Sequence, residues 1–282
     1  MMIKGIDVSK WQGDFNFNRL KLANISFVIL KIGGADDGYY QDSKFSRNYA
    51  ECKRLGIPVG CYYYGNARNK TDAHKELDHI LKLLNGKEFD YPFFYDVEGA
   101  MIKAGKRALT DIIKIVLDGT TAAGIYSGLY MSEWYINNSL YDEELTMYDH
   151  WVAKYSTEKP VIYSGSKITM WQNGTTPISG EQIDSNYCYV DYPGIIKHNE
   201  KSEVIKLKAL KYGSICDDVT MYEIMMKKLG FYNGSIDTHF GKGCLAACNE
   251  FQTKYPECGT NGKPDNSFGP KSWNKLLSLF RG

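Results

Sequence analysis

Two acids, Asp96 and Glu98, stand one residue apart at the end of the apolar run YPFFYDVE, residues 91–98. Burying a bare charge is costly, so a strand that ends this way must pair its carboxyls, hydrogen-bond them or use them. Alternation along a strand puts Phe94, Asp96 and Glu98 on one side and Tyr95 and Val97 on the other. Two neighbouring carboxyls can divide acid and base work when their surroundings separate their pKa values. The same pair can also cap a helix or meet Lys and Arg, so its company decides. By the same alternation GIDVSKWQG places Asp7 at the end of the first expected strand, with Trp11 just beyond it. EQIDSNY places Asp184 after a later strand candidate. Tyr62, Tyr64, Tyr126, Tyr155 and Trp171 fall on strands around these acids, in a chain of 22 tyrosines. Aromatic faces stack on sugar rings and phenol hydroxyls bond to them, although core packing is the ordinary use of any single ring. An acid cluster can also hold a divalent cation. No phosphate-binding loop accompanies this one, and neither a metal nor a cofactor is expected.

These residues need a frame that brings distant strand ends together. Short apolar runs recur as IKGIDVS, SFVILKIGG, IPVGCYYYG, YPFFYDVE, AGIYSG, DHWVAKYS and KITMWQ. Between the early ones lie the amphipathic stretches DSKFSRNYAECKRLG, KTDAHKELDHILKLLNG and ALTDIIKIVLDGTTAAG, each stopping at a Gly. Strands alternating with helices imply parallel pairing, and runs such as FVIL imply strands covered on both faces. The class is therefore α/β, with a β/α barrel whose second half is irregular, because helical signals thin out after residue 124. In such a barrel inward residues at the C-terminal rim do the chemistry. The polar, basic stretch IIKHNEKSEVIK marks a change. Residues 1–195 are expected to form the barrel, 196–206 a linker and 207–282 a small three-helix domain. Its helices are DDVTMYEIMMKKLG, with Asp217 as N-cap and Gly230 as stop, then GCLAACNEFQTKYP and PKSWNKLLSLF. NGSIDTHFG and GKPDNSFG repeat one pattern before the second and third.

Composition narrows the function classes. The 282 residues are 43% hydrophobic and 24% charged, as in an ordinary globular protein, and the net charge of +1 gives no strong pull toward nucleic acid. Residues 1–204 carry −3 and residues 205–282 carry +4, a difference that salt screens easily. The opening MMIKGIDVSKWQGD shows no basic segment followed by an apolar run, so synthesis in the cytoplasm without a signal peptide is expected. No stretch approaches the ~18 apolar residues of a membrane span. Seven cysteines, an odd number, fit reduced thiols. Cys244, Cys248 and Cys258 with His239 invite a zinc reading, but the spacing matches no common zinc pattern, and buried thiols account for it better.

In their order, GIDVSKWQG, FVILKIGGADDGYYQDSKFSRNYAECKRLGIPVGCYYYGNA, PFFYDVE, GIYSG, WVAKY and MWQNG…GEQIDSN resemble the lysozymes of glycoside hydrolase family 25. The resemblance covers residues 3–191. It implies an irregular β/α barrel that cleaves peptidoglycan between N-acetylmuramic acid and N-acetylglucosamine, as in phage endolysins and bacterial autolysins. It also implies that Glu98 protonates the glycosidic oxygen, that Asp96 orients the substrate acetamido group, and that Asp7 and Asp184 position and tune them. Tyr62 matches a tyrosine the family places beside the reacting sugar. The family often follows that tyrosine with His-Phe or His-Tyr, whereas this chain has Tyr63-Tyr64. Residues 207–280 are similar to the three-helix peptidoglycan-binding domain of wall hydrolases, which implies bacterial peptidoglycan as the partner. The competing readings are a different glycan cleavage, a non-catalytic wall binder and an unrelated two-domain metabolic protein.

Overall fold

The structure, a computed structural model, describes residues 2–178, 180–201 and 207–280. The chain divides into two compact units, residues 1–201 and 202–282.

In the first unit eight strands close a barrel: β1 (Ile3–Val8), β2 (Phe27–Gly34), β4 (Val59–Tyr64), β5 (Phe93–Asp96), β6 (Ser127–Ser132), β7 (Asp149–Ala153), β8 (Ile168–Ile178) and β9 (Glu181–Cys188). The short β3 (Tyr40–Gln41) adds an antiparallel edge to β2. Pairing is parallel from β1 through β8. It turns antiparallel at β8–β9 and β9–β1, which closes the ring. Helices α1 (Phe45–Leu55), α2 (Lys70–Leu84) and α3 (Lys106–Ala122) fall where the sequence places them. The second half is irregular as expected: β6 is followed only by the seven-residue α4 (Glu133–Ser139). Helix α5 (Tyr192–Lys201) runs through 196–201, the first part of the stretch read as linker, and 202–206 lie outside the described residues.

Alternation sorts the strand residues into two cores. Val28, Leu30 and Ile32 of β2, with Phe93 and Tyr95 of β5, join the layer that includes Ile80, Ile113 and Val116 of the helices. Phe27, Ile29, Phe94, Trp151 and Met170 fill the barrel interior with Tyr91, Cys188 and Tyr192. Each fully buried aliphatic or aromatic side chain of this kind contributes ~1.5–3 kcal/mol from area removed from water. The interior is crowded enough to need a missing side chain: a Cβ on Gly128 would sit 2.7 Å from the Phe94 ring and 2.6 Å from the Asp149 carbonyl oxygen. AGIYSG, which reads as a strand stopping at Gly128, is corrected to a strand beginning at Ser127 and running on to Ser132.

The second unit holds α6 (Asp217–Lys228), α7 (Lys242–Lys254) and α8 (Pro270–Ser278) around Tyr222, Phe240, Phe251, Phe268 and Trp273. Strands β10 (Leu210–Lys211) and β11 (Ser267–Phe268) pair beside them. Cys216, not Asp217, occupies the N-cap of α6, and Asp217 lies in its first turn. The repeated turn pattern has an atomic basis. Phe240 and Phe268 are both buried, and the glycine after each caps the following helix. In each turn the Asp backbone N–H donates to a buried side chain on the preceding helix: Asp237 to Glu223 at 2.6 Å, Asp265 to Gln252 at 2.9 Å. Cys244 donates to Glu223 at 3.1 Å. Among the described residues every cysteine is a free thiol, and no helix is long and apolar enough to cross a membrane.

Candidate active site

The inward residues nearest the C-terminal ends of the strands meet in a cleft of about 260 Å³. Asp7 lines it from β1, Tyr62 from β4, Asp96 and Glu98 from β5 and its exit, and Tyr130 from β6. Trp151 and Tyr155 of β7 and its exit, Gln172 of β8 and Asp184 of β9 complete the wall. The volume is below the ~300–1,000 Å³ of drug-sized sites, room for one ring rather than a long molecule. Two register relations build it. Parallel pairing sets Asp96 between Tyr64 and Tyr130. The β1–β9 register, Ile6 opposite Ser185, carries Asp184 alongside Asp7 at the next step.

Each acid has a different environment. Asp7 is buried, and its Oδ2 accepts from Asn186 Nδ2 at 2.8 Å and Gln172 Nε2 at 3.0 Å. Burial, then the neighbouring Asp184 charge, push its pKa up to about 7 against those two hydrogen bonds. Asp184 accepts from the Tyr155 hydroxyl at 2.7 Å. Asp96 is buried, and its Oδ1 has no hydrogen-bond partner. Its carboxyl is held well above the ordinary carboxylate range by burial and then by the Glu98 charge, with Lys31 opposing. Glu98 opens to solvent as a residue, yet wall atoms crowd its carboxyl. Desolvation raises its pKa, and Lys31 again opposes. The like-charge effect between the two acids therefore falls on Asp96, the deeper of the two. At Glu98 the upward shift comes from desolvation.

The ring residues are held from behind. Tyr130 donates to Gln172 Oε1 at 2.8 Å, and Trp151 Nε1 donates to Asn186 Oδ1 at 2.8 Å. The same two amides that bind Asp7 thus fix two aromatic walls. Asp7, Tyr62, Asp96, Glu98, Tyr155 and Asp184, all singled out in the sequence, come together in the cleft. Tyr64 is not among the lining residues, and the Lys31 ammonium lies 4.7 Å from its ring centre. Two further expected residues do not join. Tyr126 lies ahead of β6, at the opposite end of the barrel, where its hydroxyl donates to Asp149 at 2.9 Å. Trp171 takes the alternate face of β8, buried against Tyr187, with its Nε1 donating to the Lys154 carbonyl at 2.8 Å. Its neighbour Gln172 takes the inward place. Tyr130, Trp151, Gln172, Asn186 and Lys31 escaped the sequence reading. Alternation from Gly128 reaches Tyr130, and MWQNG and IDSN contain the two amides, but nothing in those motifs distinguishes a wall from a core residue. Among the described residues no group of three or more His, Cys, Asp or Glu is placed to hold a metal ion.

The sequence profile of Glycosyl hydrolases family 25 matches residues 6–180, a span that includes Asp7, Asp96 and Glu98. The chain belongs to that family. Asp184 falls just beyond the matched span. Two relatives of this family-25 chain are the autolytic lysozyme of Clostridium acetobutylicum, 29% identical over 57% of this chain and 47% of its own length, and lysozyme M1 of Streptomyces globisporus, 26% identical over 65% and 67%. The chain thus aligns with about half of the first and two thirds of the second. A solved endolysin, CTP1L, shares the fold with a TM-score of 0.62 at 23% identity, over 70% of each chain.

Proposed function

We propose that this family-25 chain is a peptidoglycan hydrolase, an N-acetylmuramidase that cuts the β-1,4 bond between N-acetylmuramic acid and N-acetylglucosamine. The observation that carries the reading is Asp96 Oδ1, a buried carboxyl oxygen without a partner, beside Glu98 in a ring-sized cleft. A buried polar atom left unpaired is expensive unless a ligand completes it. An acetamido N–H supplies the missing donor. Relatives named autolytic lysozyme and lysozyme M1 support the reaction class.

The residues divide the work as follows. Glu98, whose pKa desolvation raises, donates its proton to the glycosidic oxygen as the bond to the anomeric carbon breaks. Asp96 holds the acetamido group so that the amide oxygen can attack that carbon from the opposite side, giving a cyclic oxazolinium ion. Residues i and i+2 of an extended segment lie ~6–7 Å apart between Cα atoms, so one sugar can reach both. Glu98, now ionised, takes a proton from the water that reopens the ring. Asp7 and Asp184 position and tune the two reacting carboxyls. Tyr62, Tyr130 and Trp151 wall the sugar. The second unit holds the enzyme on its polymer, and the cell wall is the place of action.

Glu98→Gln keeps the shape and removes the proton donor, so clearing of wall suspensions should slow by about 10²–10⁴-fold. Release of wall fragments at the wild-type rate by this variant would refute the assignment.

A further inference from the structure

The three-residue turn Lys10–Gln12 that leaves β1 is more firmly built than its exposure requires. Ser9 and Gln12 form a reciprocal capping box, with Ser9 N–H donating to Gln12 Oε1 at 2.8 Å and Trp11 N–H to Ser9 Oγ at 3.3 Å. Lys10 N–H donates to Oδ2 of the fully buried Asp42 at 3.0 Å. Yet the side chain this fixed turn displays is Trp11, 79% exposed. A lone exposed apolar residue is ordinary. An indole held in water by a braced backbone is a presented surface.

Trp11 also begins a file of alternating rings and cations that leads to the acids. The Lys10 ammonium lies 5.1 Å from the Trp11 ring centre and 5.5 Å from that of Tyr40. The Lys31 ammonium lies 5.8 Å from Tyr40 and 4.7 Å from Tyr64. The Tyr64 hydroxyl reaches Gly99, the residue after Glu98, at 2.6 Å from where a Cβ would stand. Among the described residues neither ammonium has a carboxylate within salt-bridge distance. The cleft is lined by four carboxyl groups, so a strand that carries carboxylates is repelled from it and needs cations at its margin.

We propose that Trp11 and Lys10 form an outer saccharide subsite, in which a carboxylate-bearing sugar of the bound glycan strand stacks on the open indole face and sets its carboxylate against the Lys10 ammonium. The inference rests on the glycan-cleaving reading and adds a preference to it: acidic strands over neutral ones.

The test uses the full chain on wall glycan stripped of peptide, which exposes lactyl carboxylates, and on the same strands with those carboxyls converted to carboxamides. Trp11→Ala should raise KM about tenfold on both substrates, the loss falling on KM rather than kcat, as for a contact equal in ground and transition states. Lys10→Gln should raise KM about two- to fivefold on the carboxylate strands and leave it unchanged on the carboxamide strands. Both side chains are exposed, and thermal melting of each variant confirms the fold. An unmoved KM in Trp11→Ala, or an equal rise on both substrates in Lys10→Gln, overturns the subsite. Glu98→Gln in parallel separates the two claims: if it cleaves like the wild type the reaction assignment falls, and if it is dead while the other variants match wild type only the subsite falls.

Discussion

Asp7 accepts hydrogen bonds from two buried amides, and no cation is among the groups that set its pKa. Its pKa is raised from 3.8 to about 7, and the sign of the consequence follows. A carboxyl whose folded pKa exceeds its unfolded one favours the fold fully below pH ~4, and that contribution is lost as pH rises through about 7. Asp7→Asn cannot ionise, and its amide oxygen can still accept from Asn186 and Gln172. The variant should therefore melt several degrees above wild type at pH 8 and close to it at pH 4, while losing activity. Equal melting shifts at both pH values would contradict the assigned environment. The raised pKa of Glu98 sets the direction of the rate profile as well: activity declines as pH climbs and its proton is lost. At this scale the sequence was a good guide to the acids and a poor one to their partners. A charged residue closing an apolar strand breaks the local pattern and is visible. Gln172 and Asn186 break nothing. They matter through Asp7, more than 160 residues away in the chain, and through Tyr130 and Trp151, and strand periodicity says nothing about contacts between distant strands.

The exit of β5 shows how elements set the geometry. Strand β5 ends at Asp96, Glu98 remains extended, and Gly99 turns the chain at φ 59° into a 3-10 helical segment, Gly99–Ala104. A Cβ there would strain the left-handed backbone by ~1–2 kcal/mol and meet the Tyr64 hydroxyl at 2.6 Å. Gly99→Ala should keep the fold with a small drop in melting temperature. Displacing Tyr64 and Glu98 should lower kcat about ten- to a hundredfold. Activity at the wild-type level would show that the Glu98 position tolerates movement the mechanism does not allow. The strands and helices of the first half were legible because each parallel β/α step repeats one pattern of apolar run, amphipathic run and Gly. The β8–β9 hairpin was not. Its outer part, Thr175–Ile178 paired with Glu181–Asp184, is rich in polar residues, so EQIDSNY reads as following a strand when Asp184 in fact lies within one. Trp171 was misplaced for a related reason: without the register of β8 the face of a buried aromatic cannot be chosen, and a one-residue step exchanges Trp171 for Gln172.

For the whole molecule, the division at residue 201 gives the two units separate tasks under the proposed function. Residues 1–201 alone should cleave short soluble glycan at close to the rate of the full chain and clear intact walls more slowly, because tethering raises the effective concentration of catalyst at the polymer. A full-rate attack on walls by the shortened chain, with no wall binding by residues 202–282, would remove the second unit from the account. The internal repeat of that unit was visible as Asp and Phe-Gly at matched spacing. Its cause was not, because Glu223 and Gln252 receive the two Asp backbone N–H groups from across a turn. The central claim is that Asp7, Asp96, Glu98 and Asp184 surround one sugar and break one bond beside it. Mass spectrometry of wall glycan digested by the intact chain tests this most directly. The account predicts products with N-acetylmuramic acid at the reducing end, absent with Glu98→Gln, and N-acetylglucosamine at the reducing end would contradict it.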